Sequence, residues 1–508
     1  MNETPQPPDL QTAQAVIEAL TNALQRSQRE NERLKHELEA LIRRYYGKKS
    51  EKVDPRQLRL LLEGLGVAVE KDIEDDACEV PRVIERRKSG PRKRRPLPQS
   101  LPRERRLVDL AEAEKVCACG ATKVQIGSSV AEKLDYVPAS FRVIETETLR
   151  YACPKCHEGV SSAKAPAQAI EKGLAAEGLL AQVVVSKYAD HLPLHRQQRI
   201  YGRHGVDLPV STLADYVEQV ALALAPIAEE LKRQILATRY LQTDDTTVTV
   251  LSDTAGSFKG RLWVYNDPLG RQAVFDATPT RERDGPEAFL QGFRGYLQAD
   301  AYGGYDVLYR GGAIVEVGCW AHGRRRFVEA LEGDTRGATM VALIQELYQV
   351  ERETKDHESR LRLRQERSRA IIERIDAERG RLAQEALPKS PLGDAVRYLT
   401  NQWTALCRFM EDGALELDNN HAERQLRAVA IGRKNWLFAG SMAGAQRAAV
   451  LYTLIQSCRL VDLDPFVYLR DVLLRVATHP QSRIVELTPK AWAACHAQSR
   501  STFVALHP

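Results

Sequence analysis

The sequence has no long apolar segment and no recognisable export signal. None of its apolar runs reaches the roughly 18 residues that a membrane-spanning helix needs, so we expect no membrane contact. Its amino terminus, MNETPQPPDL, lacks the basic and apolar regions of a secretory signal. The nine cysteines, without such a signal, indicate a reducing compartment. We therefore expect a cytoplasmic protein.

The sequence also has little net charge, but that charge is unevenly distributed. The formal net charge of the 508 residues is +5, and a chain of this length should form several domains. Residues 82–106 contain eleven Lys or Arg and only two acids. Such a block is typical of a contact with a polyanion, although a solvated linker has the same composition. Because prolines prevent a helix here, residues 46–110 are predicted to be a flexible basic linker.

Residues 11–45 have the periodicity of a coiled coil. The seam positions from Ala13 to Leu41 alternate in steps of three and four residues, which is a heptad pattern. Asn31 falls at an a position, where a buried amide fixes register and oligomeric state. We interpret the segment as a short coiled coil that forms a homo-oligomer. An amphipathic helix packed on its own chain is the alternative.

Two cysteine pairs suggest a metal site in residues 111–165. Cys117 and Cys119 form the first pair, and Cys153 and Cys156 form the second. Paired cysteines with this separation are typical of a zinc ribbon, in which four thiolates hold a structural Zn²⁺. The Cys-x-Cys spacing of the first pair is one residue short of the usual one. Free buried thiols therefore remain the alternative.

Residues 170–235 have a helical period. The stretch RQQRIYGRHGVDLPVSTLADYVEQV contains two helical segments separated by a turn with Gly202 and Gly205. This is the pattern of a helix-turn-helix, whose second helix commonly lies in the major groove of DNA. An ordinary pair of antiparallel helices has the same pattern, so both interpretations stay open.

From residue 236 the pattern becomes α/β. Residues 236–337 contain three strands with short turns, a helix, two further strands, and a helix expected to begin at Arg324. Residues 338–412 are Arg-rich and helical, and we interpret them as an insertion. Residues 413–445 would return to the sheet, and residues 446–500 would form a helical C-terminal domain. This order of elements is that of the ribonuclease-H-like fold.

Three acids are placed so that this fold would bring them together. Asp244 lies in the first strand beside Asp245, Asp300 follows the fourth strand, and Glu423 lies on the helix after the insertion. Two divalent ions bound by carboxylates can activate the attacking oxygen and stabilise the leaving oxygen of a phosphodiester. The sequence therefore predicts Mg²⁺ or Mn²⁺, as two ions, at these acids. Taken singly, each acid could equally be an ordinary surface carboxylate.

Basic residues flank the second and third acids in the sequence. We predict that they contact DNA phosphates, although solvated surface charge is the alternative. They are Arg324, Arg325, Arg326, Arg424, Arg427, Arg433 and Lys434.

Five further side chains lie near these acids in the sequence, and those of GCWAH could include a ligand pair, with Cys319 and His322. We expect Cys319 and Trp320 to belong to the core, and His322 to lie near the acids. Trp436 and Phe438 have the character of residues that stack on an unstacked base, but packing against the sheet is equally consistent with the sequence.

Long stretches of the sequence resemble the transposases of the insertion sequence 66 family. The resemblance covers nearly the whole chain. It includes ERLKHELEALIRRYYGKKSEK, EKLDYVPASFRVIE, LLAQVVVSKYADHLPLHRQ, TDDTTVTVL, GRLWVYND, LQADAYGGY, GCWAHGRRRF and DNNHAERQLRAVAIGRKNWLFAGSMAGAQRAAVLYTLI. This chain departs from the family pattern in its Cys-x-Cys pair and in Asp245, where the family commonly has Glu.

The resemblance implies a DDE transposase of multidomain α/β architecture. Its triad would fall on Asp244, Asp300 and Glu423 and would use Mg²⁺, while the cysteine pairs would belong to a zinc-binding domain. Such an enzyme binds the terminal inverted repeats of its element and joins them to target DNA. We therefore expect a nucleoid-associated location and, as further partners, small accessory proteins of the same element. The alternative is a catalytically decayed DNA-binding protein derived from a transposase.

Overall fold

The computed structural model describes most of the chain from residue 140 onwards. The described residues are 140–151, 161–163, 168–170, 173–252, 254 and 256–496, with isolated residues at 21, 26, 30, 103, 105, 122, 123 and 134. The chain divides into one compact unit of residues 1–75 and 148–494 and another of residues 76–147 and 495–508. Nearly all of the predicted coiled coil and basic linker, and all four cysteines of the predicted zinc site, lie outside the described residues.

Short strands and helices precede the main sheet. The strands are β1 (Arg150–Tyr151) and β2 (Ser161–Ser162), which pair antiparallel. The helices are α1 (Glu177–Tyr188), α2 (Leu194–Gly202) and α3 (Val210–Leu236).

A mixed five-stranded sheet lies at the centre of the described residues. Its strands are β3 (Tyr240–Ser252), β4 (Gly256–Asp267), β5 (Gln272–Thr278), β6 (Gly295–Gln298) and β7 (Ile314–Val317). The order across the sheet is β5-β4-β3-β6-β7. β3, β4 and β5 are antiparallel neighbours, whereas β6 is parallel to β3 and β7 is parallel to β6. β3 is therefore the central strand, with the antiparallel strands on one side and the parallel strands on the other.

Helices connect and cover the strands. Those up to the insertion are α4 (Asp284–Phe289), α5 (Asp306–Tyr309) and α6 (Trp320–Ala330). α4 supplies part of the crossover that a parallel strand such as β6 needs. The prediction that α6 begins at Arg324 is wrong by one turn. Trp320 is fully buried and its backbone N–H donates to Leu417 O (2.9 Å), which fixes the start of the helix there.

The segment between α6 and residue 412 is helical, and it has its own hydrophobic cluster. Its helices are α7 (Ala338–Arg352), α8 (His357–Leu363), α9 (Arg369–Glu385), α10 (Pro391–Asn401) and α11 (Trp403–Cys407). Trp320 and Phe327 of α6 belong to the same buried cluster as Ile344, Ile375 and Leu399 of these helices. α6 therefore connects the sheet to the helical insertion.

A buried arginine joins the insertion to the chain that leaves it. Arg364 starts a π-helical turn, is fully buried and forms a two-point ion pair with Glu351 (2.7 and 2.6 Å). Its remaining N–H groups donate to the carbonyls of Phe409 (2.5 Å), Asp412 (2.8 Å) and Leu415 (2.7 Å). A buried charge is tolerated only when it is paired and hydrogen-bonded, and this one is both.

The chain then returns to the sheet through helices that share the core of the sheet. They are α12 (Asn420–Trp436), α13 (Met442–Leu460), α14 (Pro465–Arg475) and α15 (Pro489–His496). The hydroxyls of Thr453 and Ser457 on α13 accept from the backbone N–H groups of Phe275 (2.9 Å) and Ala273 (3.3 Å) on β5. α13 thereby covers the edge strand, a position that would otherwise expose unpaired backbone groups. Buried residues of the C-terminal helices also belong to the hydrophobic cluster that packs around the sheet.

The predicted helix pair before the sheet is present as α2 and α3. Gly205 takes a left-handed conformation (φ 77°) in the turn between them. α3 is buried along its whole length, from Leu213 to Ile235, against the sheet and α13. The exposed side of its first turns carries Asp215 and Glu218, and a carboxylate repels phosphate. These features favour the ordinary helix pair over a helix-turn-helix with α3 in a DNA groove.

None of the helices in the described part of the chain is both long and apolar enough to span a membrane.

Replacing Arg364 should destabilise the insertion. Arg364→Ala leaves Glu351, whose side chain is only 13% exposed, with just the longer contact to Arg360 (3.7 Å), and breaking a buried ion pair typically costs about 3–5 kcal/mol. We expect a clear fall in the thermal denaturation midpoint measured by circular dichroism. Arg367→Ala is the matched control, because Arg367 is half-exposed and its ion pair is with the exposed Glu353. Equal, small shifts for both variants would contradict the role given to Arg364.

Candidate active site

Two of the predicted acids lie side by side on neighbouring strands. Asp244 lies in β3, and the parallel register pairs Gln242 of β3 with Gln298 of β6. When that register is continued by two residues, Asp300 lies beside Asp244, and neighbouring strands are about 4.8 Å apart. Asp300 follows the end of β6 and keeps a quarter of its side-chain surface exposed. The fourth strand therefore delivers a carboxylate to the edge of the central strand.

The third acid arrives on α12. Glu423 lies in the first turn of this helix, just after Asn419 at its N-cap. Buried amide side chains fix the position at which the chain enters α12. Gln242 donates to Asp418 O (3.0 Å) and accepts from Ala422 N (3.3 Å), while Asn419 donates to a carbonyl of β3 (3.1 Å).

A second amide fixes the segment immediately before. Gln298 donates to Glu416 O (2.8 Å) and Gly318 O (3.0 Å), and it accepts from the hydroxyl of Tyr240 (2.5 Å). We refer to Gln242, Gln298 and Asn419, which are all fully buried, as the amide clamp. The clamp attaches the start of α12 to β3 and β6, the two strands that carry or precede the other acids.

The three acids interact electrostatically. The pKa of Asp244 is raised to about 8, chiefly by burial and further by the negative charges of Glu423, Asp300 and Asp245, against the hydrogen bond from Asp245 N (2.7 Å). The strand register carries Asp300 towards Asp244, and the charge of Glu423 also acts on Asp244, so like charge adds to the effect of burial. The structure thus brings Asp244, Asp300 and Glu423 into one carboxylate cluster.

His322 lies beside this cluster. Its Nε2 is 3.7 Å from Oε1 of Glu423, in the first turn of α6. Burial lowers its pKa, with Glu423 opposing that effect, so the imidazole is neutral near pH 7. Cys319 and Trp320 are fully buried, as the sequence predicts for core residues.

An arginine that the sequence analysis did not identify also enters the site. Arg281, in the loop after β5, contacts Asp245 (2.8 Å) and Asp300 (3.3 Å) through Nη2. Asp245 is almost fully buried and also binds Arg261 (2.8 Å). The sequence contains many arginines, and nothing in it distinguishes Arg281 from the others. Only the path of the folded loop brings Arg281 to the acids.

Family models match successive parts of the chain. "Transposase IS66 family" matches residues 172–447, and "IS66 C-terminal element" matches residues 453–490. "Zinc-finger binding domain of transposase IS66" matches residues 114–157, and "Transposase C of IS166 homeodomain" matches residues 33–106. The chain belongs to the IS66 family of transposases. DNA is accordingly its partner, and membership indicates zinc binding and use of a divalent metal.

Proteins of Sinorhizobium fredii (strain NBRC 101917 / NGR234) are similar over most of this transposase. Uncharacterized protein y4hP is 34% identical over 496 residues, which cover 90% of this chain and 88% of the relative. Uncharacterized protein y4qI is 35% identical over 479 residues, which cover 89% and 87%. The similarity therefore extends well beyond the sheet.

The basic residues predicted to contact DNA differ in their surroundings. On α12 of the transposase, Arg424, Arg427 and Lys434 are exposed and follow one side of the helix. Arg433 instead donates from Nη1 to Thr246 Oγ1 (2.9 Å) and to Thr247 O (2.5 Å) on β3. This use of Arg433 in attaching α12 to the sheet disfavours a role in gripping DNA.

The three arginines of α6 follow His322 within four residues. Arg324 and Arg325 are partly buried, and Arg326 is exposed and packs over the ring of Tyr398 (4.5 Å). The charges of Arg325 and Arg326 act on His322, which places both near the cluster. Farther along α12, Trp436 is partly buried while Phe438 is exposed.

The carboxylate cluster fits a divalent cation in its chemistry. Carboxylate oxygens are the ligands that Mg²⁺ and Mn²⁺ prefer, and a bound cation would relieve the repulsion that raises the pKa of Asp244. In the described residues, however, no three His, Cys, Asp or Glu side chains are already arranged around one point. Asp300 is turned towards Arg281 and Glu423 towards His322. The side chains must therefore adjust for their oxygens to share an ion.

Neutralising Asp244 should stabilise the metal-free protein at alkaline pH. Unfolded Asp ionises near pH 4 but native Asp244 near pH 8, so between these values the native state holds an extra proton. Native stability therefore falls as pH rises through this window, and Asp244→Asn removes that loss. The gain above pH 8 is at most about 6 kcal/mol, since one pKa unit corresponds to about 1.4 kcal/mol.

Thermal denaturation of both proteins in EDTA between pH 5 and 9 would measure this difference. The gap between variant and wild type should widen with pH and level off above pH 8. Glu366→Gln, which neutralises an exposed acid of the insertion, should show no such widening. A gap between Asp244→Asn and wild type that does not change with pH would contradict the raised pKa.

Proposed function

We propose that this transposase cuts and joins DNA with a DDE triad of Asp244, Asp300 and Glu423. The observation that carries the proposal is the convergence of three carboxylates, separated by 56 and 123 residues in sequence, at the central strand. Acids that lie far apart on a protein surface would not raise one another's pKa.

The proposed core is ribonuclease-H-like. In support, the sheet order is β5-β4-β3-β6-β7, with antiparallel pairing among β3, β4 and β5 and parallel pairing of β3, β6 and β7. α12, which follows the helical insertion, supplies the last acid.

In this proposal Asp244, Asp300 and Glu423 hold two Mg²⁺ or Mn²⁺ ions. Bound there, the ions would activate the attacking oxygen and stabilise the leaving oxygen of an in-line displacement. The protein's own part is to hold the acids in a partly buried cleft and to orient the phosphodiester. His322, neutral and beside Glu423, restricts the position of that carboxylate.

The reaction consists of two displacements at phosphorus. In the first, water attacks the phosphodiester at the end of the element, and the bond to the 3′ oxygen breaks to release a 3′-hydroxyl. In the second, that hydroxyl attacks a target phosphodiester, forming a new P–O bond as a target P–O bond breaks. The same cluster serves both steps because both pass through the same geometry.

We infer that the amino-terminal regions select and pair the ends of the element. The zinc-binding region, with Cys117, Cys119, Cys153 and Cys156 as ligands, would recognise the terminal inverted repeats with help from the basic linker. The coiled coil of residues 11–45 would join protomers so that two ends are held together. Exposed Arg424, Arg427 and Lys434 on α12, with the α6 arginines, would bind phosphates near the acids, and accessory proteins of the element would assist.

A strand-transfer assay tests the proposal. Purified protein, a labelled duplex carrying the element's end and a plasmid target would be incubated with Mn²⁺ or with EDTA. We expect a joined product with Mn²⁺ only, and its loss in Glu423→Gln, because an amide cannot replace a carboxylate ligand. Glu366→Gln should remain active.

Two results would contradict the proposal. Joining by Glu423→Gln at the wild-type rate would remove Glu423 from the triad. Binding of end DNA without cleavage in any metal, also with the neighbouring gene products added, would indicate a decayed DNA-binding protein.

Zinc content tests the proposed thiolate ligands. Metal analysis of purified protein should give about one Zn²⁺ per chain, since four protein ligands complete a structural site. Cys156→Ser should lower that content and weaken binding of end DNA, whereas Cys495→Ser, which changes an exposed free cysteine, should change neither. Zinc-free protein that binds end DNA normally would exclude this role.

A further inference from the structure

Arg281 is held more firmly than an ordinary loop arginine. Its Nε donates to Asp245 Oδ1 (2.9 Å), and its Nη2 lies 2.8 Å from the same oxygen. Asp245 is itself fixed by Arg261 (2.8 Å) and has only 2% of its side chain exposed. A buried carboxylate with two guanidinium partners is a rigid anchor, because moving either partner away would leave charge unpaired.

The guanidinium is also oriented from its face. Cζ of Arg281 lies 4.0 Å from the ring centroid of Tyr302, and the hydroxyl of Tyr302 donates to the carbonyl of Arg281 itself. Stacking on an aromatic ring and an ion pair along one edge together fix the plane of the group. Arg281 is therefore preorganised before any substrate arrives.

One amino group of this guanidinium has no partner. Nη1 makes no hydrogen bond to any residue that the structure describes, although the side chain is only 35% exposed. Nη2 of the same plane is 3.3 Å from Asp300 Oδ2. Nη1 is thus held within a few ångströms of a triad carboxylate, with two N–H groups available.

Asp245, rather than Asp300, determines where Arg281 lies. The contacts with Asp245 are 2.8 and 2.9 Å long, whereas the single contact with Asp300 is 3.3 Å. Among the described residues Arg281 contacts Oδ2 of Asp300 and leaves Oδ1 available to a cation. Arg281 can therefore stay in place when a divalent ion binds Asp300.

We propose that Arg281 is a further catalytic residue of this site and Asp245 its positioning residue. Nη1 binds a non-bridging oxygen of the phosphate under attack, where negative charge increases in the transition state. A preorganised donor at such an oxygen lowers the barrier more than it strengthens ground-state binding. The inference rests on the proposed function, because it names a group that contacts the substrate of the same cluster.

The test is single-turnover cleavage of labelled end DNA across a Mn²⁺ titration. With Arg281→Ala at saturating Mn²⁺ we expect the cleavage rate to fall about 100-fold, the typical loss for one such donor. The dissociation constant for end DNA and the Mn²⁺ midpoint should both stay within about threefold, since the lost contact acts mainly in the transition state. Added guanidinium ion should restore part of the rate.

Further variants separate catalysis from folding. Arg281→Lys retains the positive charge but lacks the planar, forked guanidinium. Its cleavage rate should therefore lie between those of the wild type and Arg281→Ala. Asp245→Asn should slow cleavage at unchanged DNA affinity, and Asp245→Glu, which keeps the carboxylate, should restore it. Arg283→Ala is the control, because Arg283 lies in the same loop, is 63% exposed and pairs with the neighbouring Asp284 and Glu287. Denaturation midpoints would verify that each variant is folded.

Two results would overturn the role of Arg281 alone. Wild-type cleavage by Arg281→Ala with a lowered Mn²⁺ midpoint would show that the arginine merely occupies the place of a cation. A rate loss accompanied by an equal loss of DNA affinity, and without rescue by guanidinium, would show ordinary ground-state binding. Failure of the wild type to cleave in any metal would overturn the proposed function itself, and this proposal with it.

Discussion

Pairing of the buried amide clamp with the backbone is the constraint on which the carboxylate cluster depends. Gln242, Gln298 and Asn419 have no access to water, so each unpaired amide would cost about 1–3 kcal/mol. Gln242 and Gln298 pair with carbonyls and an N–H of the chain between Gly318 and Ala422, whereas Asn419 donates to Thr243 O on β3. A shift of the returning chain would break these hydrogen bonds together, although Asn419 Oδ1 has no partner among the described residues even in the native position. A one-residue slip would also turn every side chain of β3 to the other face of the sheet.

The site that results is electrostatically unfavourable, and hydrophobic packing holds it in place. One buried cluster packs around the sheet, and another joins α6 to the insertion. Asp244 lies between the first of these and Glu423 on α12, where its charge is opposed by burial and by its neighbours. The two sides of Asp245 are neutralised by arginines, but Asp244 has no cation of its own in the described residues. A buried carboxylate beside other negative charges binds a divalent cation favourably, because the cation offsets the repulsion.

Much of this arrangement was predictable from the sequence, because strands and helices have different periods. The runs of β-branched and aromatic residues in TDDTTVTVL and GRLWVYND predict β3 and β4, and the acids within or after the strands follow from the chain order. Arg281 was not predictable, since it reaches Asp245 from 36 residues away through an irregular loop. The use of Arg433 was equally hidden, because counting charges on a helix does not tell which one contacts a threonine on β3. The start of α6 depended on tertiary burial of Trp320.

The course of α12 has a consequence for which changes of length the chain tolerates. The helix carries Glu423 near one end and Lys434 near the other, and Arg433, next to Lys434, is bound to β3. A helix advances by about 100° per residue. Adding or deleting one residue between Glu423 and Arg433 would therefore rotate the basic side of the helix by about a quarter turn relative to the acids. Loops of the insertion can change length without rotating this helix. The number of residues in α12 therefore fixes the direction in which its basic side faces relative to the acids.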